Sequence, residues 1–146
     1  MSVSVFDDSA RYRIFDLGSG TEIDLGLDVG ADCNIDGAHY SRFIGPWIGE
    51  SSIALSVDCI ASATLHVIDL AKPMSRLVVP FPASTEGGFV SIEVDHATYR
   101  TPEDAWFTMC NAITPTCWIG HGSEPLIELP GDAQASFRPL GFEYGG

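Results

Sequence analysis

The sequence predicts an all-β protein: an antiparallel two-sheet β-sandwich with little helix, formed by residues 1–146 as a single domain. Two observations lead to this prediction, namely short runs in which polar and apolar residues alternate, and turn-forming residues between these runs. The chain has 146 residues, of which 45% are hydrophobic and 18% charged, so it is long and apolar enough to bury one core. A partly open β-barrel is the alternative architecture.

The strand-like runs follow one another along the chain. Residues 53–60 give the clearest pattern, because Ile53 and Leu55 fall on one face of the predicted strand and Ala54 on the other. Residues 64–70 alternate in the same way. The predicted strands are 11–17, 53–60, 64–70, 77–81, 89–94, 106–111, 116–119, 126–129 and 136–140.

Segments rich in Pro, Gly and Asp separate many of these runs, as the turns of a sandwich require. They are residues 72–73, 82–88, 101–104, 114–115, 120–125 and 130–132. The sequence shows no internal repeat, heptad pattern or domain linker between them.

The charge balance restricts the class of partner. Twenty Asp and Glu residues face seven Lys and Arg residues, which gives a formal net charge of −13. Such a field repels nucleic acid and anionic membrane surfaces, and it speeds the encounter with a basic protein. We therefore expect a basic protein partner, with no binding to nucleic acid or membrane. An acidic surface that serves only solubility is the alternative.

The acidic residues are concentrated near the N-terminus. Between residues 16 and 36 there are six acids and no base, and four glycines in the same stretch disfavour a long helix. We expect turns there, with one short helical or strand segment around residues 23–29. This run is the best candidate for a contact surface. The predicted partner-binding residues are Glu22, Asp24, Asp28, Asp32, Asp36 and Trp47.

The sequence from Asp32 to Gly37 matches the opening of a calcium-binding loop, D-x-N-x-D-G. An EF-hand also needs a bidentate Glu at the twelfth position, where this chain has Phe43, and flanking amphipathic helices that the sequence does not predict. We expect a turn rich in Asp and Asn instead, and no cofactor. Calcium held by Asp32, Asn34 and Asp36 is the alternative.

The four cysteines are Cys33, Cys59, Cys110 and Cys117, with no C-x-x-C pair. The N-terminus has no signal-peptide pattern, so the sequence predicts a cytoplasmic protein with reduced, largely buried thiols. The spacing of Cys110, Cys117 and His121 fits no structural zinc site, and the two cysteines are expected on consecutive strands. Nucleophile-elbow, phosphate-loop and dinucleotide motifs are absent from the sequence, which predicts a protein that is not an enzyme.

Three sequence blocks together resemble a known family. They are Asp-Gly-Ala at residues 36–38, the pair of strands at 78–81 and 89–93, and residues 99–110 with a Pro-containing turn before a strand that ends in Cys. This order is similar to that of the bacterial competence protein J family, which inhibits a DNA-entry nuclease. This chain departs from the family in having Glu103 where Gly usually follows Pro, and in lacking bases before its Asp-Gly-Ala. The resemblance implies an inhibitor or immunity protein made beside a nuclease or other toxin.

Two hypotheses of function result. The first is an acidic inhibitor that binds a basic toxin or nuclease and blocks its active cleft, with Trp47 beside the acidic run as a partly exposed anchor or, alternatively, as a core residue. The second is a sandwich domain that binds a small ligand or carbohydrate, with Trp47 and Trp118 as a stacking platform and calcium at 32–36. Trp106 is expected in the core.

Overall fold

The computed structural model describes residues 3–6, 12–27, 30, 32–37, 47–72, 75–85, 90–111 and 116–130. This part of the chain contains twelve β-strands and one 3₁₀ turn (Pro102–Asp104). The strands are β1 (Val3–Phe6), β2 (Tyr12–Asp16), β3 (Thr21–Ile23), β4 (Cys33–Gly37), β5 (Trp47–Ile48), β6 (Ser52–Cys59), β7 (Ala63–Asp69), β8 (Ser75–Pro80), β9 (Val90–Val94), β10 (Trp106–Asn111), β11 (Thr116–His121) and β12 (Ile127–Glu128).

The strands form three antiparallel sheets. The N-terminal sheet has the order β1-β2-β3, and the C-terminal sheet has the order β12-β11-β10-β9. Between them in the sequence, the central sheet has the order β4-β6-β7-β8. The short strand β5 also pairs with β6, and it lies on the same edge of β6 as β4 because β7 occupies the other edge.

The central sheet is buried on both faces. Strand β6 shows this most clearly, since Ile53 and Leu55 belong to one core cluster while Ala54 belongs to the other. The alternation that the sequence predicts is therefore correct, but both faces of the strand are covered rather than one. The central sheet is the middle layer of the described structure.

The first core lies between the central and C-terminal sheets. Phe107 and Met109 on β10 pack with Leu65 and Val67 on β7, and all four side chains are fully buried. Gly120 lies directly opposite Phe107 in the β10–β11 ladder. A methyl group at Gly120 would come within 2.2 Å of the Phe107 ring, so the ring occupies the space that any larger residue would need.

The second core lies between the central and N-terminal sheets. Ile14 on β2 is fully buried there, together with Leu25 from the segment after β3 and Ile35 from β4. Burial of an aliphatic side chain of this size contributes roughly 1.5–3 kcal/mol. These side chains fix the N-terminal sheet and the segment after it against the central sheet.

The all-β, antiparallel, sandwich-like fold predicted from the sequence is confirmed, and the structure adds a third sheet to the two expected. The predicted strands from 11–17 to 126–129 each match an observed strand within a few residues. Of the predicted 23–29 segment, only Ile23 is in a strand, residues 24–27 have no regular structure, and residues 28–29 lie outside the described part. The predicted strand at 136–140 lies outside it as well.

The prediction of reduced cysteines is wrong for this structure. Cys33 is bonded to Cys59 and Cys110 to Cys117, so all four cysteines are in disulfides. Each pair is directly opposite in its ladder, β4–β6 in one case and β10–β11 in the other, with the Cα atoms 4.1 Å apart. Sequence motifs did not predict these bonds because they depend on strand register. Across the described ranges, no helix has the length and apolar character needed to cross a membrane.

Candidate functional site: an acidic hairpin

Strands β2 and β3 form a tight hairpin whose turn carries the first acid of the acidic run. The Asp16 carboxylate accepts a hydrogen bond from the Gly18 N–H at 2.8 Å and one from the Ser19 hydroxyl at 3.2 Å. The chain reverses at Gly20, whose φ of 70° is in the region that favours glycine. The Gly18 hydrogen bond, with help from Ser19, lowers the pKa of Asp16 below its ordinary value. This carboxylate is therefore held negative at the tip of the hairpin.

The segment after β3 is fixed with its next acid on the outside. The Asp24 carboxylate accepts a hydrogen bond from the Gly26 N–H at 2.8 Å, and Gly26 has a φ of 61°. Between them, Leu25 is only 7% exposed and inserts into the second core. Because Leu25 points inward, the exposed Asp24 side chain is presented to solvent from an anchored segment.

A base from the central sheet reaches this segment. Arg76 on β8 donates a hydrogen bond from Nη2 to the Leu25 carbonyl oxygen at 2.5 Å. The guanidinium thus bonds to the backbone of the acidic segment and ties it to the far edge of the central sheet. A charged hydrogen bond of this kind contributes roughly 1.5–3 kcal/mol.

The structure divides the predicted contact residues between two sheets. Glu22 is exposed on β3, and Asp24 follows that strand, so both belong to the N-terminal sheet side. Asp32 is exposed immediately before β4, and Asp36 is opposite Ser56 in the β4–β6 ladder, so these two belong to the edge of the central sheet. Asp28 lies outside the described residues. We call Asp16, Glu22 and Asp24 the acidic hairpin.

Of the expected turn at residues 32–37, only Asp32 is in a turn, because residues 33–37 form a strand that pairs with β6 over its whole length. In an extended strand, residues two apart are separated by about 6.6–6.8 Å. Calcium needs its oxygens at about 2.3–2.6 Å, so a straight strand does not wrap Asp32, Asn34 and Asp36 around one ion. The described residues contain no group of three potential metal ligands. The zinc alternative at Cys110 and Cys117 fails as well, because both sulfurs are in a disulfide.

The three tryptophans occupy different surroundings. Trp47 is half-buried and packs against the second core, whereas Trp118 packs against the first and contacts Phe81 edge-on at 5.1 Å between ring centroids. The central sheet lies between them, so they do not form the platform expected from the sequence.

Trp106 is on a strand as predicted, but it is 39% exposed rather than in the core. Its ring stacks on His121, with ring centroids 4.4 Å apart, and His121 Nδ1 lies 3.5 Å from Glu124 Oε1. Motif analysis missed this pair. The register of the hairpin formed by β10 and β11, which places Trp106 opposite His121, is the signal that could have found it.

Two buried carboxylates have structural partners. Asp69 accepts hydrogen bonds from the Ser51 hydroxyl at 2.8 Å and the Ala71 N–H at 3.0 Å. Asp95, which is 0% exposed, accepts hydrogen bonds from the N–H groups of Ala97 and Thr98 at 3.1 Å each. These contacts stabilise the turns after β7 and β9, so both acids are explained by the fold.

Comparison with known protein families, with curated proteins and with solved structures gives no match. The resemblance to the competence protein J family stays a prediction from sequence motifs.

Proposed function

We propose that this protein binds a basic protein, such as a nuclease or another toxin, through the acidic hairpin and thereby inhibits it. The observation that supports the proposal most directly is the arrangement of Asp16, Glu22 and Asp24 on a hairpin whose inner side is anchored by Ile14 and Leu25. A formal charge of −13 on the whole chain acts in the same direction.

The physical basis is electrostatic complementarity. A nuclease must attract phosphates, so its active cleft is basic, and a surface of fixed carboxylates presents it with a similar field. Charge complementarity of this kind raises the association rate, and close interfacial charge pairs contribute roughly 1.5–7 kcal/mol each. An anchored hairpin also loses little conformational freedom on binding, which favours affinity.

The compartment is part of the proposal. The sequence predicts the cytoplasm, where thiols are kept reduced, whereas the two disulfides favour an oxidising compartment. We therefore place the interaction where disulfides persist. Alkylation of the protein taken directly from its host, followed by mass spectrometry, tests this, because free thiols at all four cysteines would support the cytoplasm instead.

The main test uses two variants with the same change of charge. Glu22→Gln/Asp24→Asn neutralises the hairpin, and its new Asn side chain still offers an oxygen to the Gly26 N–H. Glu124→Gln/Glu128→Gln neutralises two exposed acids at the end of the C-terminal sheet. Each protein is used to capture partners from the native host, and the captured protein is assayed for nuclease or other toxic activity.

We expect the wild type and the Glu124/Glu128 variant to capture and inhibit the same basic protein. The hairpin variant should bind it roughly two orders of magnitude more weakly, if each lost carboxylate contributes about 1.5 kcal/mol. Affinity of the wild type should fall as salt rises, because salt screens exposed charges. Equal loss in the two variants, or capture that does not depend on salt, would contradict the proposal.

A second candidate function is favoured by the exposed Trp106 stacked on His121, since an accessible indole ring on a sheet can stack against a sugar ring. Thermal unfolding in the presence of a glycan panel tests it. Stabilisation by a glycan in the wild type, lost in Trp106→Ala, would support carbohydrate binding. The absence of any stabilisation would remove this candidate.

A further inference from the structure

The Cys33–Cys59 disulfide closes one end of a strand pair at the edge of the central sheet. Cys33 is the first residue of β4 and Cys59 is the last residue of β6, and the two are directly opposite in the ladder. Both cysteines are half-buried rather than buried, so a reductant can approach this disulfide from solvent.

Apart from this bond, few described contacts hold β4. Among the described strands, β4 pairs only with β6. Of its side chains whose burial is described, only Ile35 is buried. The exposed Asp32 immediately precedes β4. Among the described contacts, the strand therefore depends on one ladder, the burial of Ile35 and one covalent bond.

The second disulfide lies in a different setting. Cys110 is on β10, which pairs with β9 on one side and β11 on the other, and which also buries Phe107 and Met109 completely. Cys110 is half-buried, as Cys33 and Cys59 are, but Cys117 is only 7% exposed, so a reductant can reach this disulfide from one side only. Loss of this bond leaves two ladders and a large part of the first core in place.

We propose that the Cys33–Cys59 disulfide is a redox-sensitive clasp that holds β4, and Asp32 with it, on the central sheet. This proposal extends the function proposed above and rests on it, because the disulfide would fix acidic residues that follow the acidic hairpin in the sequence. Reduction releases the β4 edge while the C-terminal sheet stays intact.

The reaction uses a dithiol as reductant. A thiolate of the dithiol attacks one sulfur of the disulfide, a mixed disulfide forms, and the other cysteine leaves as a thiolate that takes up a proton. The second thiol of the reductant, after losing its proton, displaces the remaining cysteine, which also takes up a proton. Two electrons pass to the cysteine pair, and the reductant ends as its own disulfide.

The first test uses the wild-type protein with increasing dithiothreitol, alkylation of free thiols and peptide mass spectrometry. Hydrogen exchange is measured on the same samples. We expect Cys33 and Cys59 to be alkylated at lower dithiothreitol than Cys110 and Cys117. In that intermediate state, the β4 amides and the β6 amides paired with them should exchange roughly tenfold faster or more, while β10 and β11 keep their protection.

The second test compares Cys33→Ser/Cys59→Ser with the matched control Cys110→Ser/Cys117→Ser. Only the first variant should show fast exchange confined to the β4–β6 ladder. If β4 keeps its protection after reduction of the clasp, or if Cys110–Cys117 is reduced first, the proposal is overturned. These readouts need no partner, so they separate the failure of the clasp from the failure of the proposed function.

Discussion

Gly120→Ala tests the packing between the central and C-terminal sheets. The added methyl carbon would lie 2.2 Å from Cζ of Phe107 and 2.8 Å from Cδ2 of Leu126. Carbon atoms pack at about 3.5–4.0 Å, so the ring must move by more than about 1 Å. Phe107 is 0% exposed, and its surroundings in the first core leave no route to solvent. Overpacking of this kind costs typically 1–3 kcal/mol, and we expect a value of about 3 kcal/mol because backbone, ring and neighbours are all enclosed.

Urea denaturation measures this change directly, and thermal unfolding should show a fall in Tm of about 9 °C. Gly30→Ala is the matched control, because a methyl group there meets nothing within 4 Å, and its stability should stay within about 0.5 kcal/mol of the wild type. Phe107→Leu should lower stability alone but recover about 1–2 kcal/mol in combination with Gly120→Ala, since the smaller side chain makes room for the methyl group. An unchanged Gly120→Ala protein, or a strictly additive double variant, would refute this account of the core.

Three further predictions concern stability. Removing the β4–β6 disulfide should cost about 3.5 kcal/mol and removing the β10–β11 disulfide about 2.5 kcal/mol in urea denaturation, because the first closes the longer loop of the unfolded chain. Burial lowers the pKa of His66, and Arg76 lowers it further, so the folded state favours neutral His66. The stability that this residue contributes is fully present above about pH 6.5 and declines as the pH falls from there towards the folded-state pKa. In urea denaturation measured across this pH range, His66→Gln should remove that decline, and an unchanged pH dependence would contradict the prediction. Asp95→Ala should cost about 2–3 kcal/mol, because it removes the buried carboxylate that accepts two backbone hydrogen bonds from the turn after β9. Asp95→Asn should cost less, and equal losses in urea denaturation would contradict this.

Most of the described strands could be predicted from the sequence because their determinants are local, whereas β1, β4 and β5 were not predicted. In β6 the alternation of Ile53, Ala54 and Leu55 assigns these side chains to the two faces of the strand, independently of which segments cover each face. The third sheet could not be predicted in the same way, since the covering of a second face depends on which segments return to it. Ile14 and Leu25 do so here, and neither shows this by its spacing.

The candidate site was predicted in composition but not in geometry. The run of acidic residues between positions 16 and 36 was found from the sequence. Its division between the hairpin and β4 was not, because it follows from the pairing of Cys33 with Cys59, which are 26 residues apart. The same kind of non-local register decides that Trp106 is stacked on His121 at the surface. Alternation indicates that a residue belongs to one face of a sheet, but only the tertiary packing determines whether that face is covered.

The layered arrangement also bears on how binding and stability are related in this protein. Glu22 and Asp24 are exposed, whereas Ile14 and Leu25 of the same part of the chain are in the second core, and Arg76 bonds to the Leu25 backbone. Mutual repulsion of the carboxylates acts mainly through solvent, where it is weak, whereas the anchoring contacts are in the core, where they are strong. Neutralising Glu22 and Asp24 should therefore leave the free energy of unfolding within about 0.5 kcal/mol of the wild-type value. Because of this separation, a loss of partner binding in that variant can be assigned to charge and not to unfolding.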